Sequence, residues 1–155
     1  MIGDSSRKVI DTMSDIVWAI NPDNDSFENI ILRMRSLAFN LLRAKNIEFT
    51  FRADEKLNHI KLSMETRRNF FLIFKESLNN LVKYSEATLV SIQLFSEGSL
   101  VKLIIRDNGK GFDPLLPANG NGLNSMRHRA KEMKAQIKID SVMGEGTGME
   151  LFLKL

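Results

Sequence analysis

The run LVKLIIRDNGKGFD, residues 100–113, is the feature that most restricts how this chain folds. Its first half, with Leu100, Val101, Leu103, Ile104 and Ile105, is dense in the apolar and β-branched side chains of a buried strand. Such a strand ordinarily gives way to simple turn chemistry, but this one runs straight into Asp107-x-Gly109-x-Gly111. A carboxylate there needs a partner or water, and the glycines remove side chains where something approaches the backbone. The pattern asks for a sheet with a strand end that opens on a cleft.

The rest of the chain supplies the remaining elements. Val9, Ile10, Met13, Ile16, Val17 and Ile20 recur at helical spacing, which predicts an amphipathic helix over residues 5–20. Asn21-Pro22 interrupts it, and Asp25 or Ser26 stands where a cap is needed for a second helix carrying Ile30, Ile31, Met34, Leu37, Ala38, Leu41 and Leu42, ending near residues 44–46. IEFTF (47–51) alternates as a strand, HIKL (59–62) reads as a short second strand, and METRRNFFLIFKESLNNLVKYS (64–85) as a long helix. TLVSIQLFS and SLVKLIIRD, joined at Glu97-Gly98, form a hairpin. A loop rich in proline, glycine and asparagine (113–122) precedes a basic helix, LNSMRHRAKEMKA, and QIKIDS pairs with GMELFLKL as a closing hairpin. Helices and strands mix without strict alternation. The expected fold class is therefore α/β, a two-layer sandwich of a mixed, mostly antiparallel sheet with helices on one face, preceded by an N-terminal helix.

Composition narrows the function classes. A chain of 155 residues, 43% hydrophobic, is long enough for one domain with a real core. It has no cysteine, which excludes disulfides and thiolate metal sites. Its 22 basic and 19 acidic residues are interspersed, with short clusters such as Arg67-Arg68 and residues 127–131, so the basic stripe of a nucleic-acid binder is missing and no nucleic-acid partner is expected. No apolar run approaches the roughly 20 residues of a membrane span.

On the long helix, Phe70, Phe74, Leu78, Leu81 and Val82 form an apolar stripe, while Glu76, Asn80 and Lys83 lie opposite. An amide oxygen at Asn80 suits Mg²⁺ bridging phosphates, and Glu76 can accept a proton or orient a nucleophile. Asp107 offers an acceptor for an exocyclic amine beside Gly109 and Gly111, a combination that suits adenine. Gly120-Asn121-Gly122-Leu123 opens a helix whose free N–H groups can hold phosphates. Gly144-Glu145-Gly146-Thr147-Gly148 adds a flexible turn and a hydroxyl.

Taken in order, E-x-x-x-N in KESLNNLVKYS, D-x-G-x-G in RDNGKGF, GNGLNSMRHRA and GEGTGM resemble the N, G1, G2 and third glycine boxes of the ATPase superfamily of gyrase, Hsp90, histidine kinases and MutL. GNGLNSMRHRA is similar to the GLxxMxxR form of the DesK and NarX-like sensor kinases, and MSDIVWAINPDNDSFENIILRMRS is similar to the end of a dimerisation hairpin and the first helix of the catalytic domain. The resemblance implies a Bergerat-type ATP-binding fold over residues 22–155, with 1–21 belonging to a dimerisation helix or linker. It implies ATP and Mg²⁺ as cofactors. Asp107 would bind the adenine amino group and Thr147 support that end, while Gly109, Gly111, Gly120, Gly122 and Leu123 would line the base and lid. Asn80 would hold the metal and Lys83 approach phosphate, with Glu76 as the base. It further implies a response regulator and an upstream dimerisation hairpin as partners, and a cytoplasmic domain of a membrane-anchored homodimer at the inner membrane.

Departures from the family pattern sharpen this expectation. The only histidines are His59 and His128, and neither is followed by the acidic residue that marks the family's phosphoacceptor. Tyr84 replaces a frequent histidine, and no phenylalanine box is present. The acceptor is expected on a segment outside these residues. An anti-sigma-type serine kinase shares E-x-x-x-N, and a noncatalytic nucleotide-responsive module would share every box; both remain alternatives to the histidine kinase.

Overall fold

A computed structural model describes residues 26–112 and 122–155. The expected helix at 5–20, the interruption at Asn21-Pro22, and Gly120 with the loop around it lie outside the described residues. Helix α1 (Phe27–Arg43) buries Phe27, Ile30, Ile31, Met34, Ala38 and Leu42, a set at three- and four-residue spacing that gives one apolar stripe. Ser26 occupies the N-cap position, but its side chain makes no capping hydrogen bond. The helix ends where Asn46 turns to φ 56° and the Ile47 N–H returns to the Leu42 carbonyl at 2.9 Å.

Strand β1 (Glu48–Ala53) follows, then a short 3-10 turn over Glu55–Leu57. The strand expected at 59–62 does not form. The 3-10 turn carries the Ile60 N–H back to Leu57, leaving a single bridge between Lys61 and Ser26. Helix α2 (Met64–Asn80) is capped by Ser63, whose hydroxyl accepts from the Thr66 N–H at 3.2 Å, and continues as a wider π turn over Leu81–Ser85. It is more deeply buried than an amphipathic stripe predicts: Phe71, Leu72 and Ile73 are buried beside Phe70, Phe74 and Leu78. Elements packed on several sides of α2 account for this, each buried aromatic contributing about 1.5–3 kcal/mol.

Strands β2 (Leu89–Glu97) and β3 (Leu100–Asp107) pair antiparallel around Gly98-Ser99, one residue later than the expected turn, because Glu97 still pairs with Leu100. Helix α3 (Gly122–Glu132), β4 (Gln136–Val142) and β5 (Gly146–Lys154) complete the chain. The sheet order is β1-β2-β3-β5-β4, with β1 parallel to β2 and the other neighbours antiparallel, as the mixed fold class requires.

Alternation divides the sheet into two faces. Val90, Ile92, Leu94, Val101, Leu103, Ile105, Met149, Leu151 and Leu153 point into one core shared with the three helices. The opposite face mixes polar and aromatic side chains: Lys102 sits between the Phe95 and Phe152 rings, 5.8 Å from each centroid, and pairs with Glu97 at 2.9 Å. Among the described residues, no helix is long and apolar enough to cross a membrane.

Candidate functional site

The inward-facing rows of the sheet change character at one end. Ile105 and Met149 are paired across β3 and β5, and Ile139 faces Met149 from β4. The next inward positions are Asp107, Thr147 and Ser141, with Val90 opposite Asp107 on β2. The apolar core thus ends in a row of oxygens, set at the helix-covered face rather than on the outer surface.

Asp107 is the most constrained of these. Its Oδ1 accepts the Gly109 N–H at 2.8 Å and the Thr147 N–H at 3.3 Å, which ties the end of β3 to the start of β5. Burial raises its carboxyl above the ordinary carboxylate range, against the pull of those two N–H donors. A carboxylate held partly desolvated at a strand end is costly in a domain that has no use for it.

The glycines beside it serve backbone packing directly. A Cβ on Gly109 would overlap the Ser85 carbonyl oxygen, one on Gly111 the Val142 carbonyl and one on Gly146 the Asp107 carbonyl; Gly111 and Gly146 also adopt φ of +66° and +109°. The loop is clamped on both sides, by Lys110 N–H to the Ser85 carbonyl at 2.7 Å and by Gly144 N–H to the Lys110 carbonyl at 2.6 Å. The immediate neighbours of Gly109 and Gly111 are protein carbonyls, and their lack of a side chain is what lets the loop pack there.

Ser85 ends the π turn that follows Asn80, so this clamp fixes the C-terminal end of α2 beside Asp107. Glu76 and Asn80 are half-buried, one turn apart; Lys83 is exposed. No described hydrogen bond joins Glu76 or Asn80 to Asp107. Among the described residues, the Asn80 side chain has no hydrogen-bond partner, and no group of three or more acidic or imidazole side chains is arranged to hold a metal. One amide oxygen with an adjacent carboxylate does fit Mg²⁺ carried on phosphates, because that ion keeps several waters and takes few protein ligands.

Helix α3 reaches the same end by running antiparallel to α2. Met126 Sδ accepts from Ser77 Oγ at 3.1 Å, while further along α3 Arg129 and Glu132 meet Asn69, earlier on α2, at 3.3 and 3.1 Å. Rising numbers on one helix meet falling numbers on the other. The start of α3 at Gly122 therefore lies toward the Asn80 end, and Leu123 packs against the core; the first N–H groups of a helix have no partner within the helix itself. His128 is exposed and pairs with Glu132 at 3.1 Å; His59 is exposed in the turn before α2.

Several residues at the site carried no sequence signal. Asn108 Oδ1 accepts the Thr88 and Leu89 N–H groups, both at 2.9 Å, and stitches the exit of β3 to the entry of β2. Ser85 Oγ donates to Leu81 and accepts from the Ala87 N–H. Ser141 is buried and touches Phe112, Gly146 and Thr147. Only the position of Asn108 inside D-x-G-x-G could have drawn notice.

This arrangement, an acidic strand end, a glycine-clamped loop and a helix start gathered at one end of an α/β sandwich, is that of a nucleotide-binding ATPase domain. Residues 65–155 match the family of histidine kinase-, DNA gyrase B- and HSP90-like ATPases, and the chain belongs to that family. No curated protein matches the chain in sequence. Among solved structures, the histidine kinase domain of a blue-light activated histidine kinase from Erythrobacter litoralis is similar at 16% identity and a TM-score of 0.69, with 93% of this chain and 75% of that one covered. The histidine kinase AdeS of Acinetobacter baumannii is similar at 13% identity and a TM-score of 0.69, covering 98% and 79%. A mycobacterial sensor histidine kinase, MprB, follows at 18% identity and 0.61, covering 83% and 94%. The fold is that of histidine kinase catalytic domains, and ATP is the family's ligand.

Proposed function

We propose that the chain is the catalytic domain of a sensor histidine kinase, transferring the γ-phosphoryl of Mg-ATP to a histidine on a dimerisation hairpin outside these residues, for relay to a response regulator. The observation that carries the reading is the Asp107 carboxylate, held by Gly109 and Thr147 at the helix-covered end of the sheet, with the end of α2 clamped to the same loop through Ser85. Asp107 accepts the adenine 6-amino group and Thr147 completes that end. Asn80 would hold Mg²⁺, which would supply charge neutralisation for the phosphate chain. The start of α3, with Gly120, Gly122 and Leu123, receives the phosphate chain, and Lys83 adds a cation at its edge.

In the transfer, an imidazole nitrogen forms the N–P bond as the bond between the γ-phosphorus and the β,γ-bridging oxygen breaks. ADP leaves, and Glu76 takes the imidazole proton. Such chemistry asks mainly for positioning, with reacting atoms about 3–3.5 Å apart. His59 and His128 stand apart from it: one lies in a turn at the far end of α2, and the other is paired on α3. The GLNSMRHRA segment supports placing the kinase in the DesK and NarX-like group. The intact protein is then a homodimer anchored at the inner membrane, with this domain in the cytoplasm.

Incubation with γ-labelled ATP, under conditions that preserve phosphohistidine, tests the reading. The 155-residue chain should bind ATP without labelling itself, and should label a dimerisation hairpin from the same gene. Label on His59 or His128, lost on substitution by alanine, would overturn the placement of the acceptor. Acid-stable phosphoserine on a partner would identify an anti-sigma-type kinase, and ATP binding with no transfer a noncatalytic module.

A further inference from the structure

Ser141 lies buried on β4, directly across from Thr147 on β5. Its hydroxyl accepts the Phe112 N–H at 2.8 Å, sits 2.8 Å from the Thr147 hydroxyl and 3.3 Å from the Gly146 carbonyl oxygen. A hydroxyl has one proton to give and two lone pairs. The Gly146 carbonyl can only accept, so its contact is a hydrogen bond only if Ser141 donates to it. Phe112 fills one lone pair of Ser141, and the other then receives the Thr147 proton. Were Ser141 to donate to Thr147 instead, the Gly146 contact would hold no proton. In a buried site the assignment that satisfies every contact prevails.

The consequence reaches Asp107. Thr147, half-buried beside Asp107, has given its proton to Ser141 and presents lone pairs only. Asp107 is already an acceptor. Two acceptors side by side suit the two N–H bonds of one amine and oppose a carbonyl. We infer that Ser141 is a specificity-determining positioning residue: by taking the Thr147 proton it fixes that hydroxyl as an acceptor, and so selects a purine bearing a 6-amino group over one bearing a 6-oxo group. This rests on the reading of the Asp107 end as the base pocket.

The test is equilibrium binding of ATP and of inosine triphosphate, which differs at the 6 position, to the full chain and to S141A and T147V, with thermal melts alongside. In S141A the Thr147 proton is free to meet a 6-oxo group, so the ATP-to-inosine preference should narrow about tenfold, the size of one hydrogen-bond mismatch. T147V keeps the shape but removes the hydroxyl, and should narrow the preference through weaker ATP binding without better inosine binding. An unchanged preference in S141A, with both affinities falling together, would leave Ser141 a merely structural residue and sink the inference. If S141A does not melt cooperatively, T147V decides, an unchanged preference again being the refuting result. Absence of ATP binding by the wild-type chain would instead refute the base-pocket reading itself.

Discussion

Gly109 lies so close to Ser85 that a side chain on it would overlap the Ser85 carbonyl oxygen, and the next residue, Lys110, donates its N–H to that oxygen at 2.7 Å. The contact joins the loop after β3 to the end of α2, backbone to backbone, so neither side can yield by turning a side chain. Gly109→Ala should destabilise the domain by about 1–3 kcal/mol, as overpacking does, and weaken ATP binding because the Asp107 loop must shift. Gly98→Ala is the control: it has a φ of +59° but nothing within 4 Å, so it should show backbone strain alone, about 1 kcal/mol, with ATP binding intact. Urea denaturation and calorimetric titration of both variants check this; equal effects on binding would refute the clamp.

Asp107→Asn should separate function from stability. Burial raises the folded-state pKa above its unfolded value, so between the two the folded state binds more protons than the unfolded one. Stability therefore falls as pH rises through that window, and the penalty is fully present only above the raised pKa. Removing the charge should leave the melting temperature at pH 7 unchanged or higher, while ATP affinity falls about tenfold or more. Wild-type affinity should also decline as pH is lowered through the raised pKa, because a protonated carboxyl donates where it must accept. A variant that binds ATP like the wild type would remove Asp107 from the base pocket.

Much of this site was readable because its residues belong to rigid patterns. D-x-G-x-G and G-x-G-T stand out as strings, and backbone collisions at Gly109, Gly111 and Gly146 explain why glycine is needed at those positions. The strand order was not readable: β5 inserting between β3 and β4, and β1 lying parallel to β2, are set by tertiary packing that a single sequence does not display. HIKL alternates like a strand, yet the preceding 3-10 turn consumes the backbone groups that a second strand would need. Ser141, Ser85 and Asn69 gave no signal, since a lone serine or asparagine is more often a solvated residue and only the fold shows what its side chain meets. The expectations at residues 5–20 and Gly120 fall outside the described residues.

Asn69 is fully buried, and both ends of its amide engage α3: the nitrogen donates to Glu132 at 3.1 Å, and the oxygen accepts from Arg129 at 3.3 Å. This pair sets the register of α3 on α2 from the end far from Asn80. Asn69→Ala should destabilise by about 1–3 kcal/mol, with a cavity and unmet polar groups contributing together. Arg129→Ala should cost less, because its own head is less buried, and the two losses should be non-additive in a double-mutant cycle. Strict additivity by urea denaturation would show that the contact carries no coupling.

Asn80→Ala isolates the metal from the base. The side chain is half-buried with no hydrogen-bond partner among the described residues, and alanine is the better helix former, so stability should change by no more than about 0.5 kcal/mol. The base pocket around Asp107 is untouched by this change. In excess EDTA, wild type and variant should therefore bind ATP equally. Adding Mg²⁺ should tighten wild-type binding about tenfold or more, as one ligand contact to a charged group does, and tighten the variant much less. Melting curves with and without Mg-ATP give the same comparison independently, since at a fixed ligand concentration the stabilisation grows with the logarithm of the affinity. A variant whose affinity rises with Mg²⁺ as steeply as the wild type would remove Asn80 from the metal site and leave Glu76 as the residue to test next.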